Sequence, residues 1–211
     1  ERLVRNEEVA GSIPVTSTKF FHTYKFLNFP TGGSTMAADY FPLKDRTRYE
    51  YKFTSTEFEG AAKIYIDILS VAKKAAKTVA QARMIFELRD SHTTEYVITR
   101  DAKWLTTADG VITGGRREFP MAAKEGAKWE EYPDSSEVIS LSDKVSIKAG
   151  KFAKCMKIVT MLAGGDAGKS VRYYAPGTGY ILEEYNGEDK TCELELVAIS
   201  KVPEEKKKGK K

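Results

Sequence analysis

VSIKAGKFAKCMKIV, residues 145–159, is followed after a glycine-rich stretch by YYAPGTGYILEEY, residues 173–185. Apolar and polar residues alternate in both segments, which is the pattern of half-buried β-strands. Gly150 interrupts the first segment and predicts a bulge or tight bend at which the sheet curves. Pro176 has a fixed backbone φ angle and Gly177 has a permissive one, and this combination predicts a turn. The two segments therefore indicate antiparallel strands joined by short connections.

The same period of two extends through most of the chain. It covers Tyr49, Tyr51 and Phe53, then Ile64, Ile66 and Ile68, then Met84, Phe86 and Leu88, and recurs at 94–100, 171–175, 180–185 and 192–199. We interpret Lys73–Lys77 as a hairpin connection, because β-patterned sequence continues on both sides. Many strands with short turns predict a mostly β fold, a single curved antiparallel sheet of half-barrel or sandwich-like form.

Composition divides the chain into three parts. We expect an N-terminal extension over 1–38, the β domain over 39–202, and a lysine-rich tail over 203–211. The net charge is +4, but the last six residues, KKKGKK, contribute five lysines, so the remainder sums to −1. The sequence thus predicts a basic tail and no basic face on the folded domain. This disfavours a specific nucleic-acid partner, because nucleic-acid-binding surfaces typically contain clustered cations with aromatic residues among them.

The N-terminal extension contains a dense aromatic island between residues 20 and 29. Its candidate partner-binding residues are Phe20, Phe21, Tyr24, Phe26 and Phe29. Aromatic residues at this density are not expected to stay in water. The island either folds back over an edge or open face of the domain, or acts as a docking arm for a neighbouring subunit.

No pattern in the sequence predicts catalysis, a cofactor or a metal. AGGDAGKS at 163–170 resembles a phosphate loop, but a β-rich run ending in proline follows it where a helix is required. We therefore predict a glycine-rich hairpin loop. Glu183 and Glu184 are adjacent on a predicted strand and so point to opposite faces, which prevents them from converging on one substrate. His22 and His92 have no accompanying catalytic pattern.

Cysteines and tryptophans have structural interpretations. Cys155 and Cys192 are too few and too far apart for a zinc site. Both lie in strand patterns, so they are either buried thiols or, if their strands are neighbours in an oxidising compartment, one disulfide. Trp104 and Trp129 are expected to pack in the core or at its rim.

Several short motifs carry a resemblance to a known family. Asp39–Leu43 (DYFPL), the strand residues 145–152 with Cys155 three positions further on, and 173–179 (YYAPGTG) follow one another in the order and spacing typical of that family. The chain resembles a broad family of uncharacterised bacterial exported β-domains, often lipoproteins, over about residues 39 to 200. It departs from the family pattern at Arg48 and Tyr49, where a tryptophan is common. The resemblance implies a curved antiparallel sheet and a periplasmic or cell-envelope location. Because the sequence begins at Glu1, we expect that either an export leader has been removed or the chain has been shortened. The resemblance supplies no catalytic residues.

The sequence therefore predicts a non-enzymatic envelope protein, an assembly subunit or accessory lipoprotein. Its expected partner is another subunit or a second copy of the chain, contacted through the N-terminal arm. The lysine tail would contact anionic lipid or polymer. The alternative is a carrier that holds an apolar ligand such as a lipid in the concave face of the sheet. An inner face left unfilled by large side chains would favour the carrier.

Overall fold

The computed structural model describes residues 38–164 and 167–204. The proposed aromatic arm and nearly all of the lysine tail lie outside these residues. Within them the chain consists of strands and connections, without a helix, and so contains no helix long and apolar enough to span a membrane. The strands are β1 (Thr47–Ser55), β2 (Ala62–Lys74), β3 (Lys77–Glu87), β4 (Ser91–Arg100), β5 (Trp104–Thr107), β6 (Arg116–Pro120), β7 (Lys128–Glu131), β8 (Asp134–Ile147), β9 (Gly150–Leu162), β10 (Gly168–Ala175), β11 (Gly179–Gly187) and β12 (Thr191–Lys201).

All twelve strands belong to one antiparallel sheet, in the order β6-β5-β4-β3-β2-β1-β12-β11-β10-β9-β8-β7. The first six strands form a meander outward from β1, and the last six form a second meander back to β12, which pairs with β1. The two edges, β6 and β7, are consecutive in sequence and are joined by residues 121–127. A connection of this length spans at most about 25 Å. The sheet must therefore curl until its edges are neighbours, and it is nearly closed.

Irregular pairing accompanies this curvature. The register shifts between Glu50 and Tyr51 in β1, between Tyr173 and Tyr174 in β10, and three times between β8 and β9. Each extra residue bends its strand and increases the local twist. The predicted single curved sheet is confirmed.

The inner face of the sheet carries the core. Tyr51, Ile64 and Leu196 are among its fully buried residues. Aromatic rings fill the middle, where Phe119 lies edge-on to Tyr174 at a centroid distance of 5.0 Å and Tyr174 stacks on Tyr180 at 5.4 Å.

Most predicted turns lie where the sequence placed them. β2 and β3 form a hairpin through Ala75 and Ala76, and Gly177 adopts φ +70° in the connection between β10 and β11. The glycine-rich stretch after Leu162 joins two antiparallel strands, as expected for a hairpin loop. The predicted bulge or bend within one strand at Gly150 was wrong. The chain reverses there, because Ile147 pairs with Gly150 and the segment 145–159 belongs to two strands, β8 and β9.

The outer face holds one buried acid. Asp67 on β2 is fully buried although it points away from the core. Its cross-strand neighbours are Arg48 on β1 and Arg83 on β3. Arg48 donates to the carboxylate through Nε at 2.6 Å and Nη2 at 2.8 Å, and Arg83 donates through Nη2 at 3.0 Å. The two guanidinium groups cover the carboxylate and join three strands.

Candidate functional site

Four charged side chains meet on the inner face of the sheet, where a core normally contains apolar residues. They come from three strands: Arg116 and Glu118 from β6, Arg172 from β10 and Glu183 from β11. Arg172 and Glu183 have no exposed surface, and Glu118 is 5% exposed. We call these four residues the buried ion cluster. Two positive and two negative charges make it formally neutral, as burial requires.

Glu118 is the centre of the buried ion cluster. Its Oε2 accepts hydrogen bonds from Arg172 Nη1 and from the Tyr174 hydroxyl, both at 2.5 Å. Its Oε1 accepts from the Thr107 hydroxyl at 2.8 Å and lies 3.2 Å from Arg116 Nε. Both oxygens are thus occupied by donors from β5, β6 and β10.

Glu183 forms the second half of the cluster. Its Oε1 accepts from the Ser170 hydroxyl at 2.5 Å, and its Oε2 accepts from the Tyr180 hydroxyl. Arg116 Nη2 lies 3.6 Å from the same Oε2, so Arg116 bridges the two carboxylates.

The environment fixes the protonation state of Glu118. Burial by itself raises the pKa of this carboxyl, but the charges of Arg116 and Arg172 and the hydrogen bonds from Tyr174 and Thr107 outweigh it and hold the pKa at about 2. Burial raises the pKa of Tyr174 well above its usual range, and the charge of Glu118 adds to this effect. At neutral pH Glu118 is therefore an ion, and it has no proton to donate as a general acid.

The space beside the cluster is small. A cavity of about 30 Å³ is lined by Arg116, Glu118, Tyr96 and Val111, among others. Arg116 Nη1 is buried and has no hydrogen-bond partner among the described residues. A second cavity, beside Tyr51 and Gly179, has about 10 Å³. Such volumes hold about one water molecule and not an organic substrate. The geometry suits a structural polar core.

A second cluster lies where the two edges of the sheet meet, and we call it the seam. The backbone N–H of Arg117 on β6 donates to the Glu131 carboxylate of β7 at 3.0 Å, and the Trp129 Nε1–H donates to the Arg117 carbonyl at 3.2 Å. The rings of Trp104 and Trp129 pack at a centroid distance of 5.8 Å, and the Arg117 guanidinium lies over Trp104 at 4.8 Å. Side chains of β7 thereby occupy the edge groups that a neighbouring strand would otherwise bond.

Larger depressions also occur, and one of about 360 Å³ is lined by residues including Asp134, Leu162 and Tyr185. One of about 620 Å³ lies across β1, β10, β11 and β12 and is lined by polar residues including Thr54, Lys169, Glu184 and Glu193. Within residues 38–164 and 167–204 no three His, Cys, Asp or Glu side chains are placed to hold a metal ion.

The structure places some of the predicted site residues and not others. Phe20, Phe21, Tyr24, Phe26 and Phe29 lie outside the described residues. Of the two alternatives for the cysteines, the structure has the buried thiols, since Cys155 and Cys192 are both free. Burial raises the pKa of the Cys155 thiol to about 11.

Three further sequence predictions concern side-chain positions. Glu183 is buried and Glu184 is exposed, as predicted from their adjacency. Trp104 and Trp129 pack as expected. The sequence did not indicate the buried ion cluster. Arg172 points inward, whereas its more apolar neighbours Val171 and Tyr173 lie on the outer face, so the alternation of polar and apolar residues suggests the opposite orientation. A charged residue inside an alternating strand was the only available signal.

Comparison with known proteins identifies the fold. No family model and no curated protein matches the chain. A crystal structure of a putative exported protein with YmcC-like fold from Bacteroides fragilis matches with a TM-score of 0.58 and 12% identity, covering 78% of this chain and 100% of the other. A putative lipoprotein from Parabacteroides distasonis matches with a TM-score of 0.53 and 10% identity, covering 79% of this chain and 100% of the other. The chain shares the fold of these two proteins.

Proposed function

We propose that this chain is a non-enzymatic cell-envelope protein that acts through contacts with other proteins, as an assembly subunit or accessory lipoprotein. The observation that carries the proposal is the filled inner face of the sheet. Tyrosine and phenylalanine rings and the buried ion cluster occupy it, and the cavities beside them have about 30 and 10 Å³. With this part of the interior filled, we infer that the protein acts through its surface and its terminal segments.

The same observation bears on the alternative of a lipid carrier. Sites for drug-sized ligands have volumes of about 300–1,000 Å³ and enclose most of the ligand. The depression of about 620 Å³ reaches that size, but it is open to solvent and most of its lining residues are polar. The carrier therefore receives no support from the inner face of the sheet.

The envelope location is inferred from the fold. Two proteins of the same fold are described as exported or as lipoproteins. The sequence motifs DYFPL, residues 39–43, and YYAPGTG, residues 173–179, suggested the same class of protein. At identities of 12% and 10% the similarity establishes the fold alone, so the envelope location of this chain is part of the proposal.

The contact segment that we propose is the aromatic island of residues 20–29. Native mass spectrometry of the full chain, gently purified from its own cells, tests this. We expect a stoichiometric complex, either of copies of this chain or with a second protein. Replacing Phe20, Phe21, Tyr24, Phe26 and Phe29 by serine is expected to dissociate it.

The matched control is Tyr132→Ser, which removes a fully exposed aromatic side chain from the connection between β7 and β8. The control should leave the complex intact. A monomer that carries an added mass of lipid size would contradict the proposal and favour the carrier. A complex that survives the quintuple substitution would contradict the role of the aromatic island.

A further inference from the structure

Charged residues of opposite sign are concentrated at opposite ends of the sheet, in the connections and in the strand ends beside them. In an antiparallel meander successive connections alternate between the two ends of the strands. We call the end at which β1 begins the basic end and the end at which β1 finishes the acidic end. This division depends on strand directions and not on the lysine tail.

The sequence of the connections gives the charge of each end. At the basic end the connections and the strand ends beside them contain nine Lys and Arg and five Asp and Glu, counted over 38–46, 73–77, 101–103, 121–128, 176–178 and 201–204. At the acidic end the connections and adjoining strand ends contain two Lys and Arg and ten Asp and Glu, counted over 56–61, 87–90, 108–115, 130–134, 163–164 and 187–190. The turn between β8 and β9 belongs to neither end, because it bends over the outer face, where the Lys148 N–H donates to Glu195 Oε1.

The cations of the basic end come from neighbouring strands and are available to a partner. The central group is Lys44, Arg46, Lys73, Lys74, Lys77 and Lys103, with Lys201 beside it at the end of β12. All seven are exposed, and none forms an ion pair with another described residue.

Three of the acids at this end are already committed to local contacts. Asp39 pairs with Arg100 at 3.0 Å, and Asp45 accepts the Val71 N–H at 3.1 Å. Asp101 accepts two backbone N–H groups in its own turn, at 2.7 and 2.8 Å. Among the described residues, no acid forms an ion pair with the lysines around them.

We propose that the basic end docks on an anionic lipid bilayer surface. Clustered lysines and arginines are attracted to such a surface without a shaped pocket. The acidic end is repelled by the same surface, so the opposite charges orient the sheet with its basic end toward the lipid. The prediction that basic character is confined to the tail was therefore wrong, since the folded domain has a basic end of its own.

Two observations favour a bilayer over a nucleic acid. The exposed residues between the lysines of the β2–β3 hairpin are Ala75 and Ala76, which offer neither stacking nor base-reading groups. The Val202 N–H also donates to the Arg46 carbonyl, so β12 finishes at the basic end, and five further lysines follow in the sequence at 206–211. The proposal does not depend on the contact function proposed above.

Vesicle cosedimentation of the full chain tests the proposal. The vesicles contain phosphatidylcholine alone or with about 30% phosphatidylglycerol, in about 0.1 M salt, where screening acts over about 10 Å. We expect binding to the anionic vesicles only, and its loss at about 0.5 M salt. The triple variant K73Q/K74Q/K77Q should bind about tenfold or more weakly.

The matched control is K52Q/K63Q/K169Q, which removes the same charge from exposed positions away from the basic end and should change binding less than about twofold. A third variant replaces the five tail lysines by glutamine and measures the contribution of the tail separately. Equal losses in the two triple variants would overturn the proposal, as would binding lost entirely with the tail. Binding to a soluble polyanion such as heparin without binding to vesicles would also overturn it. Unchanged melting temperatures would show that the variants are folded.

Discussion

Arg117 and Glu131 connect the two edges of the sheet. Both carboxylate oxygens of Glu131 accept the Arg117 N–H, at 3.1 and 3.0 Å, and Oε1 also lies 3.3 Å from Arg117 Nε. The Glu131 carboxylate on β7 thus accepts the hydrogen bond that β6 would otherwise donate to a backbone carbonyl of a neighbouring strand. Exposed edges with free N–H groups invite pairing with other chains. The seam protects this edge without a ladder of backbone hydrogen bonds.

Glu131→Ala should weaken this closure. Losing a charged acceptor for a backbone N–H costs about 1–3 kcal/mol in the free energy of unfolding. We expect a loss of about 1–2 kcal/mol in urea unfolding, together with concentration-dependent self-association in light scattering. Glu130→Ala is the control, because that neighbouring side chain is exposed. Equal effects of the two substitutions would contradict the role of the Glu131 carboxylate.

The buried ion cluster should make stability depend on acid pH. Glu118 has a pKa of about 2 in the folded chain, below its ordinary value of 4.5. The ionised form is therefore favoured by folding, and its contribution is fully present above about pH 4.5. It is lost as the pH falls toward 2, and its size is about 3 kcal/mol.

Carboxyl NMR of the folded protein measures the pKa of Glu118 directly, and urea unfolding between pH 7 and pH 3 measures its effect on stability. A pKa of Glu118 at or above its ordinary value of 4.5 would contradict this account.

Glu118 and Arg172 should be energetically coupled. Arg172→Met removes one partner of a buried pair and leaves the carboxylate with less compensation, which costs about 3–5 kcal/mol. Glu118→Gln in the same chain removes the uncompensated charge. We expect the double variant to be more stable than the sum of the single losses predicts, by about 1–3 kcal/mol.

Urea unfolding of the two single variants and the double variant gives this coupling. Glu184→Gln combined with Arg172→Met is the control pair and should be additive. Additivity in both pairs would show that the cluster is not a unit.

The two cysteines should be protected thiols. Cys155 has no exposed surface, Cys192 is 8% exposed, and the Cys155 pKa is raised to about 11. The raised pKa of Cys155 lowers its fraction of reactive thiolate, and burial restricts access to both sulfurs, so neither residue should react with a thiol reagent at pH 8 in the folded protein. Both should react after denaturation. A mass lower by the two hydrogens of a disulfide, or rapid labelling of the folded chain, would contradict this.

The sequence by itself determined the strands and most of their turns, because period-two alternation and turn chemistry are local properties. Gly177 and the glycine-rich stretch after Leu162 could be interpreted from their immediate neighbours. The position of Gly150 was predicted but its role was not, since a bulge and a hairpin reversal have the same local pattern. The choice between them depends on pairing with a distant segment.

Only the tertiary structure decided which charges meet. Arg172 reaches Glu118 across 54 positions of sequence, and no local pattern predicts that pairing. The two charged ends arise in the same way. Acidic and basic groups of residues, in connections and adjoining strand ends, alternate along the chain, and the sequence composition averages them to a small net charge. The antiparallel strand order separates them in space, because every second connection returns to the same end of the sheet.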